Sequence, residues 1–331
     1  MNRKALVALS GGVDSSLALS MASEGPDAVR AAYVDTSGAG PPAEAEEVAA
    51  RLGVGLIVVD AEAEFRREVR EWSRNMLASG FTPNPCARCN ARVKLLTLFR
   101  MLRPGESLLT GHYARMAGGN LHRGADPRKD QSYFLSMVGR DVLARCSFPL
   151  GEMRKEMVRV KAESMGLPFR RQESMDLCFQ TPTRGRPGRI VDLSGRTIGR
   201  HGGIEGFTVG QRKGLGALGE RMYVVSIDPL EGTVTAGTRA HLTFRGCRLV
   251  EMNWLVHPGS FPLEALVQTR YRRRPVPAVL DEDGGTFHVG FKRPEEAVAP
   301  GQVCAVYQNS TVMGGGIVSS TEKHDWKQDE G

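Results

Sequence analysis

The sequence predicts an α/β protein with a helix-covered parallel sheet in its first half, a small central module, and a C-terminal antiparallel β-barrel. Three observations predict it. Up to about residue 165, short apolar strand-like runs alternate with helical stretches, the pattern that builds a parallel sheet through helical crossovers. Between Pro168 and Gly216 the composition turns to Gly, Arg and Pro, rich in loop signals and poor in helical periodicity. From Tyr223 onward, short β-branched runs alternate with turns, as in a small barrel. A chain of 331 residues is too long for one ordinary core. The division expected is residues 1–165, 166–222 and 223–320, followed by a frayed polar tail over 321–331. No segment recurs at the roughly 20–50-residue spacing of repeat proteins.

In order, Lys4 to Leu9 is apolar and strand-like, Ser10 to Asp14 is a Gly-rich turn, and Ser15 to Ala22 has the pattern of a helix. A strand over Val29 to Val34, a helix over Ala43 to Leu52 and a strand over Gly55 to Val59 follow. Helical patterns recur over Glu62 to Leu77 and Ala91 to Met101, with a strand at Ser107 to Thr110. In the last third, Tyr223 to Ile227, Thr233 to Ala236, Ala265 to Thr269 and Gly301 to Tyr307 have barrel-strand composition.

Hydrophobic residues at 41% and charged residues at 24% fit a folded soluble enzyme and exclude a mainly disordered chain. No apolar run approaches the roughly 18 residues of a membrane span, and the first strand begins almost at once, so a cytoplasmic protein is expected. The formal charge is +7, with arginines gathered in Arg184 to Arg200 and Arg270 to Arg274. Such clustering fits a polyanionic partner, although a solvated basic face has the same composition.

Ser10-Gly11-Gly12-Val13-Asp14-Ser15-Ser16 lies between the first strand and the first helix, where backbone N–H groups and the helix dipole hold anions. Glycine lets the backbone approach phosphate, the serines offer hydroxyls, and Asp14 is suited to orienting the loop or helping to place Mg²⁺. The Lys-Ser/Thr ending of the common NTPase loop is missing. A ligand-free Gly turn is the plainer alternative. The whole heptapeptide, however, resembles the PP-loop of ATP pyrophosphatases, which cleave ATP between the α and β phosphates. That resemblance implies a PP-loop (adenine nucleotide hydrolase-like) fold for the first domain.

Six cysteines occur, and in a reducing cytosol they indicate catalytic or metal-binding thiols before disulfides. Cys86 and Cys89 stand three apart after Pro83 and Pro85, directly before a helix; that position and Arg88 favour the thiolate. Asn84 and Asn90 are suited to bonding a base or the local backbone. Cys178 lies far along the chain, in Asp176-Leu177-Cys178-Phe179. No second close Cys or His pair completes a zinc site. Three thiolates suit a [4Fe-4S] cluster with an open iron, while two suit a persulfide and an attacking thiol. Cys146, Cys247 and Cys304 have apolar or strand-like neighbours and are expected to be packing residues.

Taken together, these segments resemble the bacterial tRNA-specific 2-thiouridylase family. The matches run from the PP-loop through Thr82-Pro83-Asn84-Pro85, Cys89-Asn90, Gly111-His112-Tyr113, Lys129 to Leu135 and Phe148-Pro149-Leu150-Gly151. They continue through Leu177-Cys178-Phe179, Gln211-Arg212-Lys213-Gly214-Leu215-Gly216, Arg270-Tyr271 and Pro300-Gly301-Gln302. The resemblance implies that Ala8, Leu9, Ser10, Gly11, Gly12, Val13, Asp14 and Ser15, with Val34 and Gly111, bind ATP. It implies that Asn84, Pro85 and Cys86 meet the target base, with Cys89 as nucleophile and Cys178 as persulfide carrier. His112, Lys129, Asp130, Gln131, Arg270, Tyr271 and Gln302 match positions that contact tRNA. The implied reactants are ATP with Mg²⁺, tRNA, and a sulfur donor protein or inorganic sulfide, with no membrane or DNA partner. If a cluster is bound, Cys86, Cys89 and Cys178 are its ligands.

Without the resemblance, His112 has the composition of an ordinary satisfied histidine, Lys129-Asp130 of a surface ion pair, Tyr271 of a barrel residue, and Gln211 to Gly216 of a structural turn. Two departures stand out. Cys86 replaces the family's usual aspartate, and the link from Phe179 to Pro187 is short, as if a helix were missing. Rival functions are another PP-loop tRNA-modifying or amide-forming ligase, which leaves the thiols unused, and a non-catalytic RNA-binding protein.

Overall fold

The computed structural model describes residues 4–25, 28–170, 185–215 and 221–323. In the first part the chain forms β1 (Lys4–Ala8), α1 (Val13–Ser23), β2 (Val29–Asp35), α2 (Ala43–Arg51) and β3 (Leu56–Asp60). Two longer helices follow, α3 (residues 62–78) and α4 (residues 85–100). Then come β4 (Glu106–Leu109), the hairpin β5 (Ala114–Ala117) and β6 (Asn120–Arg123), α5 (Ser132–Leu135), α6 (Arg140–Leu143), β7 (Cys146–Ser147) and α7 (Lys155–Ser164). The sheet is parallel, in the order β3-β2-β1-β4-β7. Neighbouring residues of β1 serve opposite faces: Leu6 packs with Leu95, Leu98 and Leu108, and Val7 with Leu19 and Val48. The strand order reverses between β1 and β4, and ligands of such sheets bind in the crevice at the carboxyl ends of that strand pair.

The thiol-bearing segment differs from the expectation of a turn ahead of a helix over 91–101. Helix α4 starts at Pro85, so Cys86 and Cys89 are helical. The cause is local: the Asn84 side chain accepts from the Ala87 N–H at 3.0 Å, and Pro85 fits the first helical position. Farther on, Asn90–Lys94 is wound as a wider π-helical turn, an irregularity common near functional sites.

The central module also differs. Strands β8 (Gly188–Val191) and β9 (Thr197–His201) join β10 (Tyr223–Asp228) and β11 (Thr233–Gly237) in one sheet, ordered β10-β11-β8-β9. The two later strands, expected in the barrel, pair with the Gly/Arg-rich segment because Val224, Val234 and Ala236 share a small core with Ile190, Ile204 and Phe207. The barrel comprises β12 (Thr243–Trp254), β13 (Leu263–Gln268), β14 (Val276–Asp283), β15 (Thr286–Glu296), β16 (Val303–Gln308) and β17 (Thr311–Lys323). Pairing of β17 with β12 closes it, and Thr321 to Lys323, placed in the frayed tail by composition, belong to that pairing. The hairpin β5–β6 adds to the outside of β17 through Thr311 and His122.

The barrel is seated on the first domain. Thr82 N–H donates to Pro300 O at 2.7 Å, Asn253 Nδ2 donates to Ser136 O and Val138 O, and Leu255, Val303 and Tyr307 share a core with Tyr133 and Phe134.

Candidate nucleotide and thiol site

At the crevice between β1 and β4 lies a cleft of about 360 Å³. Ala8, Leu9, Ser10, Asp14 and Ser15 line one side, Val34, Thr36 and Ser37 another, and Gly111, His112 and Gln131 a third. Of the expected nucleotide residues, Ala8, Leu9, Ser10, Asp14, Ser15, Val34 and Gly111 line this one cleft, and Gly11, Gly12 and Val13 form the turn between its lining residues. Gly11 has φ +76°, and a β-carbon there would sit 2.9 Å from Pro42 Cγ, so the turn needs glycine twice over. A β-carbon on Gly111 would lie 2.8 Å from the Asp14 carbonyl carbon, which is how closely the loop after β4 approaches the start of α1. The serine hydroxyls are used inside the loop: Ser15 and Ser16 both donate to Gly12 O, and Ser10, which lines the cleft, bonds Ser15 Oγ through both its N–H and its hydroxyl, each at 3.1 Å.

Asp14 is tied down on both oxygens by Lys155 Nζ, each at 2.6 Å, and accepts from the Tyr113 hydroxyl at 2.7 Å. Its carboxylate therefore anchors the loop to α7, the loop-orienting one of the two roles considered for it. Among the described residues, no group of three metal-ligating side chains gathers anywhere. Asp35 closes the neighbouring turn. Burial opposes its charge, but donors from Ser37, Gly40 and Gly38 outweigh burial and hold its carboxyl below the ordinary range. Burial and the nearby Lys94 ammonium push His112 down to about 4. It is therefore neutral near pH 7, with Nδ1 2.7 Å from Thr110 Oγ1. Positive charge in the cleft comes from Arg70, Lys94 and Arg170. Sequence reading missed all three and Lys155 as well; Arg170 and Lys155 reach the loop only through the tertiary fold.

Helix α4 connects this cleft to the thiols. Asn90 and Lys94, one turn apart on the same face, line the cleft. Cys89 is buried beside Ala61, Phe65, Val69 and Val93 and packs against Val34; Phe65 and Val34 themselves line the cleft. Cys86 is partly buried against a different apolar group, the core around Ala87 and Leu95. Arg88 bonds the Glu68 carbonyl through Nε and the Glu68 carboxylate through Nη2, and lies over the Trp72 ring at 5.0 Å. Cys178 falls outside the described residues. Cys146, Cys247 and Cys304 are buried packing residues, and burial pushes the Cys146 thiol up to about 12.

Several residues expected at the tRNA are used internally. Asn84 caps α4, Pro85 begins it, and Gln302 donates to Thr82 O and Pro83 O, clamping the segment ahead of the thiols. Asp130 is buried, pairs with Arg123 at 2.9 Å, and accepts from Gly124 and Ser132 N–H groups. Gln131 exchanges bonds with the Tyr113 backbone. Gln211 bonds Thr208, Gly206 and Lys213, the structural turn considered above. Tyr271 stacks at 4.3 Å on Phe134 between barrel and first domain. Beside it the Arg270 guanidinium makes no ion pair or hydrogen bond among the described residues, and burial and Arg273 depress its basicity. Lys129 is partly exposed on the same loop as Asp130.

A glycine turn at the switch point of a parallel sheet, with a helix carrying two thiols along its wall, defines a PP-loop nucleotide-binding domain joined to a β-barrel. Residues 3–181 match the model of the tRNA methyl transferase HUP domain, residues 179–238 that of the tRNA methyl transferase PRC-barrel domain, and residues 244–318 that of the aminomethyltransferase beta-barrel domain. A tRNA-specific 2-thiouridylase of Chloroflexus aurantiacus is 38% identical over 353 residues, covering 96% of this chain and 98% of that one. Relatives of the same name are 38% identical in Pelobacter propionicus, over 97% of this chain and 99% of that one, and 41% identical in Nitratidesulfovibrio vulgaris, over 95% and 99%. The chain belongs to the tRNA-specific 2-thiouridylase family.

Proposed function

We infer that the chain catalyses ATP-dependent 2-thiolation of the wobble uridine of tRNA, and that Cys89 and Cys178 carry the sulfur chemistry. The observation that carries this reading is that Cys89 belongs to the buried cluster with Phe65 against which Val34 packs, and that Phe65 and Val34 also line the nucleotide cleft. The PP-loop backbone and the cations Lys94 and Arg170 face the phosphates, while Val34 and Gly111 border the rest of the nucleotide. The uridine, extruded from the anticodon stack, attacks the α-phosphorus through O2, and pyrophosphate leaves. The terminal sulfur of a Cys178 persulfide adds at C2 and AMP departs, leaving the base joined to Cys178 through a disulfide. The Cys89 thiolate then attacks the Cys178 sulfur, releasing 2-thiouridine and forming a Cys89–Cys178 disulfide that an external thiol reduces. Arg270 and Lys129 are the basic groups we assign to tRNA phosphate. Magnesium accompanies the phosphates of ATP. In this scheme the sulfur comes from a donor protein that carries it as a persulfide, whose outer sulfur passes to the Cys178 thiolate while the donor leaves as a thiol, and the setting is the cytoplasm; no helix among the described residues is long and apolar enough to cross a membrane.

Cys86 and Cys89 pack in different apolar groups, and the two-thiol scheme uses only Cys89 of that pair. Incubation with ATP, a persulfide donor, reductant and unmodified tRNA, followed by nucleoside mass analysis, tests the function. Gain of 2-thiouridine is expected; another modification, or binding without turnover, rejects the assignment.

A further inference from the structure

We propose that Arg170 is a phosphate-binding residue of the nucleotide site; this rests on the ATP-dependent reading above. After α7 the chain returns to the PP-loop, with Leu167 and Phe169 packed against Val13 and Leu17. The Arg170 N–H donates to Gly11 O at 2.9 Å, and its Nη2 donates to Ser10 O at 3.2 Å. A one-residue parallel bridge links Arg170 with Gly12. Its Nε–H is buried without an acceptor, although the side chain lines the cleft. A buried donor left unsatisfied is a standing penalty, and an anion in the cleft removes it. The guanidinium is planar and always charged, the chemistry that matches phosphate oxygens. No carboxylate neutralises it among the described residues, and the nearest acid of the loop, Asp14, is already held by Lys155.

The PP-loop therefore binds phosphate with two kinds of donor. Its own backbone supplies the first, and the Arg170 side chain, fixed to the loop by its main chain, supplies the second. Adenosine and ribose need none of this charge, so the residue acts on the phosphate chain alone.

Calorimetric titration of the full chain with ATP, pyrophosphate and adenosine tests the assignment. In Arg170→Met the backbone clamp survives while the guanidinium is lost. The affinity for ATP and pyrophosphate is expected to fall roughly 10- to 100-fold, as for loss of a hydrogen bond to a charged group, with adenosine affected much less. Arg170→Lys, which keeps the charge, is expected to recover part of the pyrophosphate affinity. It also serves if Arg170→Met does not fold. Equal losses for all three ligands, or no loss, overturn the proposal and leave Arg170 a structural strap. Failure of the unaltered chain to bind ATP overturns the underlying nucleotide reading instead.

Discussion

At the scale of single residues, the site depends on groups that hold the PP-loop as much as on groups that face the ligand. The Lys155 and Asp14 side chains are 9% and 30% exposed, so their pair is mostly but not fully desolvated. Lys155→Met leaves the Asp14 carboxylate with the Tyr113 hydroxyl alone. The expected cost is about 2–3 kcal/mol in urea denaturation, below the range for fully buried pairs, together with weaker ATP binding. His112 provides a pH test. Its folded value near 4 lies below the unfolded value of 6.5, so the unfolded chain takes up the proton first. This contribution is complete above pH 6.5 and is lost as pH falls through the window from 6.5 to 4, by up to about 3 kcal/mol. His112→Gln should lose less stability than the unaltered chain between pH 7 and pH 4; equal losses would show that the imidazole is not held neutral. The turn over residues 10–16 was legible because glycine and serine next to a strand state their purpose locally, whereas Gly111 was singled out only through the family resemblance. Lys155 and Arg170 were not, since each meets the loop from a distant part of the chain.

At the scale of elements, two glycines set the spacing of the site. A methyl group on Gly111 would press on the Asp14–Ser15 peptide, and one on Gly301 (φ +91°) would lie 2.8 Å from Thr82 N, where the barrel clamps the segment leading into α4. Gly111→Ala is expected to raise KM for ATP at least about tenfold, a change of ~1.4 kcal/mol. Gly301→Ala is expected to lower kcat while leaving ATP affinity nearly unchanged, because it displaces the thiol helix and not the PP-loop. Steady-state kinetics with ATP varied separates the two. The parallel sheet was readable from its alternation of strand and helix. The start of α4 was not, because Asn84 is equally suited to binding a base and to capping a helix. Strands β10 and β11 were assigned to the wrong sheet because β-branched composition specifies a strand without specifying its partner.

At the scale of the whole molecule, the barrel braces the first domain through Gln302, Asn253 and the Tyr133 core. The thiols decide the mechanism. Cys86→Ser is expected to retain most activity, and anaerobically prepared active enzyme to contain neither iron nor sulfide; loss of a bound cluster together with activity in that variant would favour the three-thiol alternative. The most direct measurement is a single turnover with persulfide-loaded enzyme, ATP and tRNA in the absence of reductant, followed by peptide mass analysis. The account predicts one Cys89–Cys178 disulfide for each 2-thiouridine formed. Thiolation that leaves both cysteines reduced, or that joins Cys178 to Cys86 instead, would contradict it.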